Sequence, residues 1–217
     1  TDKNIYIIGI DDRTLEEYGP VASWSRDIPA RLVEILNADK GARPAVIGFD
    51  VIYSEKGDEE GDARFARACK EAGNVVSALS FSFKETPEKD EAGTIVYNPY
   101  HVDYVIAPYD ELRDSAALGF ANTTVDRDGY VRQAMAWLDN EGERTYSLAG
   151  QVYRNFQESQ GKEAVFPKTY GRNNRFYFSY SGKSGGYNVV SLKDVLDGTV
   201  DARLFGNAIV LVGAYAV

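Results

Sequence analysis

Near the N-terminus stands the run Ile5-Tyr6-Ile7-Ile8-Gly9-Ile10-Asp11-Asp12, a short apolar, β-branched stretch that ends abruptly in two carboxylates. A continuous apolar run of this length reads as a strand buried on both faces, which belongs inside a mainly parallel sheet. The same theme returns at Pro44-Ala45-Val46-Ile47-Gly48-Phe49-Asp50. Between the two, Ile28, Leu32, Ile35 and Leu36 recur at helical spacing, with Ser25 or Asp27 as the cap, Pro29 in the first turn and Gly41 closing the helix. Strand, helix and strand make a βαβ unit, whose parallel strands bring Asp11 and Asp50 to the same edge of the sheet. The segment from Arg13 to Trp24, punctuated by Gly19 and Pro20, reads as a loop.

Further along, the segment from Glu55 to Asp62 is acidic and contains glycines, and Phe65, Cys69 and Ala72 mark a second amphipathic helix. Asn74 to Leu79 is expected as a third parallel strand. The Pro-, Glu-, Lys- and Asp-rich stretch from Lys84 to Gly93 reads as a solvated excursion or long hairpin. Pro108 to Leu112 opens a short helix, and Gly119 to Thr124 is expected as a strand. Asp128-Gly129 predicts a type I′ hairpin, with Val131 to Leu138 continuing beyond it. Leu148, Val152 and Phe156 mark a third helix, Arg175 to Tyr180 a strand, Ser181 to Gly186 a glycine loop and Ser191 to Leu196 a short helix. The apolar run from Asn207 to Gly213 is expected to join the central sheet close to the first strand. The predicted fold class is α/β: a single three-layer domain over residues 1–217, with a mainly parallel central sheet flanked by helices and an antiparallel hairpin extension.

The 217 residues suffice for one full core, and a net charge of −9 argues against nucleic acid or an anionic bilayer as the main partner. The single Cys69 excludes an internal disulfide and a cysteine-rich zinc site. No run of about 18 uninterrupted apolar residues is present. Both ends of the chain read as boundaries within a longer protein, since the last strand pattern runs to the terminus.

In open α/β sheets ligands bind outside the carboxyl ends of the strands, which makes Asp11, Asp12 and Asp50 candidate site residues. An acid after a strand also commonly caps the next helix or turn, and that reading stands beside the first. Several motifs fail. Asp11 and Asp12 are adjacent, whereas the strand-end acids of aspartate-nucleophile phosphatases alternate with a spacer. Gly182-Lys183-Ser184 lacks the first glycine of a phosphate loop, and the calcium-loop reading of Asp126 and Asp128 puts Met135 where the closing acid belongs. His101, the only histidine, lies in a Tyr- and Pro-flanked stretch with no nucleophile elbow nearby, and Asn122-Thr123-Thr124 is a glycosylation pattern inside an expected strand. What remains is Asp11, Asp12 and Asp50 with Trp24 and Arg26, Asp50 being expected within reach of Arg26. Such a set fits a site for a cation or amine-bearing ligand, or a closed ion-pair network that only fixes loops, the reading that the chemistry alone favours slightly.

The sequence resembles a CHASE2 domain. The resemblance rests on Ile10-Asp11-Asp12, Gly19, the Trp24-Ser25-Arg26 element leading into Ala30 and Leu32, and Gly48-Phe49-Asp50-Val51. It continues through Asp62-Ala63, Gly119-Phe120-Ala121-Asn122, Asp126 to Gly129 with Arg132, and Ile209 to Gly213. These elements span nearly the whole chain in order, and their combination is far more specific than any one of them. The family commonly has prolines around the Trp and Arg, where this chain has Ser23 and Ser25. The resemblance implies an extracytoplasmic sensor module of a bacterial membrane receptor, without catalytic activity or cofactor of its own. Its implied partners are a small molecule or cation, flanking transmembrane helices and a cytoplasmic cyclase or kinase output domain; a homodimer is a separate expectation. It adds Asn122 and Arg132 to the candidate ligand-binding residues. A carboxylate- or metal-dependent hydrolase and a structural dimerisation module are the competing readings.

Overall fold

The computed structural model describes residues 4–171, 173–182 and 185–215. In chain order the elements begin with β1 (Ile5–Ile10), α1 (Asp12–Tyr18), α2 (Asp27–Asn37), β2 (Val46–Phe49), α3 (Glu59–Ala72) and β3 (Val75–Lys89). Next come β4 (Ile95–Ile106), α4 (Asp110–Arg113), β5 (Ala117–Phe120), β6 (Gln133–Met135), β7 (Trp137–Asn140) and β8 (Glu143–Tyr146). The chain continues with α5 (Leu148–Ser159), β9 (Arg175–Tyr177), β10 (Asn188–Ser191), α6 (Leu192–Leu196) and β11 (Ile209–Ala214).

The main sheet runs β10-β1-β11-β2-β3-β4, with β5 also paired to β3. All its pairings are parallel except β3 with β4. The last strand lies between the first two apolar ones, where its β-branched side chains are covered from both directions. Alternation divides the sheet into two faces. Ile8, Ile10, Ile47, Phe49, Val210 and Val212 pack on one side against Leu32, Val33 and Leu36 of α2, Phe65 of α3 and Val195 of α6. Val46, Val76, Ile209 and Leu211 turn the other way, towards Val152, Leu148 and Phe156 of α5. The architecture is the expected mixed α/β sheet with helices on both faces and separate antiparallel hairpins. Two glycines seat α5: a Cβ at Gly48 would stand 2.7 Å from the Val152 side chain, and one at Gly119 would stand 2.6 Å from the Leu148 Cα.

Some local expectations change. The segment after β1 is not a loop: Asp11 caps α1, and a 3-10 turn over Val21–Ser23 follows. The helical pattern was invisible because α1 buries only Thr14. The helix α2 ends at Asn37, before Gly41, with the Asn37 amide donating to the Val33 carbonyl. The excursion from Lys84 is a long hairpin, β3 and β4 pairing out to Lys89 and Ile95. At Asp128-Gly129 the turn is not type I′: Gly129 N–H donates to the Asp126 carbonyl at 2.9 Å, so Arg127 and Asp128 are the central residues. Only Gly129 of this turn has a positive φ, +84°, and Asp126 N–H pairs back to Tyr130. The following run is split at Ala136 into β6, paired with β9, and β7, paired with β8. Strand β9 covers only the first three residues of the run predicted from Arg175, and β10, an edge strand, carries too little apolar sequence to announce itself. Of the rejected phosphate-loop motif, Lys183 and Ser184 lie outside the described residues.

Candidate ligand site

The expected acids and their neighbours are distributed among several environments. Asp11 ends β1 and caps α1: its Oδ1 accepts from Thr14 N–H at 3.0 Å, Thr14 Oγ1 at 2.6 Å and Ser191 Oγ at 2.9 Å. Partial burial pulls its carboxyl upward, but these hydrogen bonds outweigh that and hold it below the usual carboxylate value. Ser191 sits at the junction of β10 and α6, so the cap also ties the sheet edge to the helix layer. Asp12 lies in the first turn of α1, exposed, where its charge favours the positive helix end.

Trp24 is buried at 6% exposure, and its indole N–H donates to the Gly19 carbonyl at 2.8 Å, closing the loop between α1 and α2. Arg26 stands at the start of α2 with its side chain 12% exposed. Its partner is Asp62 rather than Asp50, Nε facing Asp62 Oδ1 at 3.8 Å. The guanidinium also lies 4.8 Å over the Tyr53 ring and donates to the carbonyls of Trp24 and Glu55. Asp62 Oδ2 accepts from Gly57 N–H at 2.8 Å, so the pair pins the loop after β2 to α2 and α3. Sequence reading missed Asp62 as the partner of Arg26 because it closes an acidic stretch as the fourth residue of α3, a position that resembles a solvated helix start.

Asp50 follows β2 on the opposite face from Phe49. It opens into a cavity of about 490 Å³ between α5 and the strands β1 and β11, walled by Ile5, Ile7, Val152, Leu211 and Tyr215. Its Cβ lies 3.3 Å from where a Cβ of Gly213 would stand. The residue is open to solvent at the cavity mouth, yet loss of water against the apolar walls pushes its carboxyl above the usual value. Among the described residues no ion pair or side-chain hydrogen bond offsets that cost. A carboxylate at the rim of an apolar pocket is a place where a cation with an apolar body is held better than water holds it.

Asn122 and Arg132 lie elsewhere. The Asn122 carboxamide accepts from Phe81 N–H at 2.8 Å and donates to the Phe81 carbonyl at 2.7 Å, carrying the pairing of β5 with β3 past the end of β5. Arg132 bridges Asp126 and Asp128 in the exposed turn, at 3.0 and 2.9 Å, and covers the Tyr130 ring. His101 is exposed on β4, and burial pushes the Cys69 thiol up to about 12. Among the described residues no three of His, Cys, Asp and Glu converge to hold a metal, and no helix is long and apolar enough to cross a membrane.

The chain is thus an α/β module whose mainly parallel sheet is sealed on one face and opens into a cavity on the other. A family model described as CHASE2 domain matches residues 1–217, and the chain belongs to that family. CHASE2 is a sensory, non-catalytic domain family of receptors, extracellular in membrane proteins. Neither the curated proteins nor the solved structures contain a match to this sequence.

Proposed function

We propose that this chain is the extracytoplasmic sensing part of a bacterial transmembrane receptor, taking a small amine-bearing molecule at Asp50 and coupling its occupancy to a cytoplasmic output such as a nucleotide cyclase or kinase. The sensory role rests on the family. The ligand class rests on one observation: Asp50 presents a carboxylate without an ion-pair or side-chain hydrogen-bond partner among the described residues, at the rim of a largely apolar cavity. An ammonium would restore the electrostatic stabilisation that the apolar walls remove, while its hydrocarbon part displaces water from Ile5, Ile7 and Leu211. Of the other candidates, Asp11, Trp24, Arg26, Asn122 and Arg132 have the protein partners described above, and Asp12 is a solvated helix-start acid outside the cavity.

The test is thermal melting of the chain with a series of alkyl and aromatic primary amines, each beside the alcohol of matching shape. Amines are expected to raise the melting temperature and alcohols to leave it unchanged. Asp50→Asn should fold normally and lose the amine response. Equal responses to amine and alcohol, or a response that survives Asp50→Asn, would overturn the assignment. Ester or phosphoester turnover abolished by Asp50→Asn would replace sensing with hydrolysis.

A further inference from the structure

The helix α5 has a second hollow on its other flank, of about 480 Å³, whose character is opposite to that of the Asp50 cavity. Three arginines from three elements line it: Arg113 from α4, Arg144 from β8 and Arg154 from α5. Leu79, Phe81 and Leu118 supply an apolar floor. In a chain of net charge −9, three guanidinium groups around one hollow run against the overall field.

The guanidinium groups are braced from outside. Arg144 donates from Nε and Nη2 to Asp139 at 2.8 and 3.2 Å and stacks 4.8 Å over Trp137. Arg113 pairs with Asp110 at 3.0 Å. Neither Asp139 nor Asp110 lines the hollow, whose one acid is Glu143. Arg154 makes no ion pair among the described residues. Its guanidinium lies 4.1 Å over the Tyr146 ring, and Nη1 donates to Gln151 Oε1 at 3.3 Å, which leaves Nε and Nη2 without an acceptor among the described residues. Stacking on Tyr146 fixes the plane of that fork without using its charge.

We infer that this hollow is a second binding site, for a small multivalent organic anion whose carboxylate or phosphate oxygens engage Arg154 and Arg144 and whose short apolar part rests on Leu79 and Leu118. Planar forks match carboxylate and phosphate oxygens two at a time, which selects a multivalent anion over halide. Arg113 closes the third side, and Glu143 sets a repulsive limit on where negative charge can sit.

The experiment is calorimetric titration of the chain at fixed ionic strength with a four-carbon dicarboxylate, a tricarboxylate and inorganic phosphate, with chloride as control. At least one multivalent anion is expected to bind stoichiometrically, and the anion that does so tells the carboxylate from the phosphate source. Arg154→Gln should weaken that binding tenfold or more while leaving the melting temperature of the free protein within a degree or two, and Glu143→Gln should strengthen binding. Arg144→Gln gives a second reading, with circular dichroism checking that the strand pair β7 and β8 survives. Asp50→Asn must leave the anion isotherm unchanged, so this site stands or falls independently of the amine site. Heats that track ionic strength alone, or an Arg154→Gln isotherm equal to that of the unaltered chain, would overturn the inference.

Discussion

The guanidinium of Arg26, packed on Tyr53 and facing Asp62 across 3.8 Å, ties the loop after β2 to α2 and α3 through a single buried charge pair. Removing one member strands the other, and such an uncompensated buried charge costs about 3–5 kcal/mol. Arg26→Ala is expected to lower the unfolding free energy by about that amount in urea titrations, whereas Asp50→Ala, which removes an acid unpaired among the described residues, should be near neutral or stabilising. A loss from Arg26→Ala below about 1 kcal/mol would show that the pair is screened rather than buried. The two strand-end acids also titrate with opposite sign. Asp11 is held below 3.8 in the fold, so its contribution is complete above 3.8 and disappears as pH falls through its folded value. Asp50 is held above 3.8, so its ionised form penalises the fold at neutral pH, and the penalty fades as pH falls through the raised value towards 3.8. Denaturation across an acid pH series should therefore show Asp11→Asn least stable relative to the parent at neutral pH and converging in acid. Asp50→Asn should be no less stable than the parent at neutral pH, any advantage shrinking in acid. The strand-end positions of these acids were legible, because an apolar run that stops at a carboxylate reports where a strand leaves the core. The distant partners were not: Ser191 reaches Asp11, and Asp62 reaches Arg26, through the fold rather than through local spacing.

Among the elements, those with strong apolar periodicity could be read directly: β1, β2 and β11 as continuous runs, α2 and α5 as striped helices. Others depend on tertiary neighbours. The helix α1 is held by its cap and by one buried threonine, and β10 is a strand only because β1 offers it a ladder. Asn122 belongs with these, since its side chain takes the place of a backbone partner that β5 no longer supplies. The turn after it was legible in kind but not in register. With Gly129 at φ +84° and nothing within 4 Å of where its Cβ would stand, the cost of a side chain there is purely that of the backbone. Gly129→Ala should cost about 1–2 kcal/mol, and Gly129→Asn less, read as shifts in melting temperature. An unchanged melt for Gly129→Ala would mean that the turn opens without consequence for the rest of the domain.

At the scale of the molecule, the two faces of the sheet differ in kind. One is sealed by α2, α3 and α6 around the largest core, while the other has α5 with a hollow on each flank. That asymmetry follows from pairings far apart in sequence, and no local pattern announces it. The first and last strands of the main sheet, β1 and β11, are parallel neighbours in register from Ile5 with Ile209 to Ile10 with Ala214. Tension applied where the chain enters β1 and where it leaves β11 therefore pulls the two strands in opposite directions along their length. Every rung between them is loaded at once in shear, instead of one after another as when a hairpin is peeled. Loaded in this way, the sheet resembles a tie rod between its two ends, one that passes a pull from one end to the other by tilt, rotation or displacement of the whole body more readily than by lengthening.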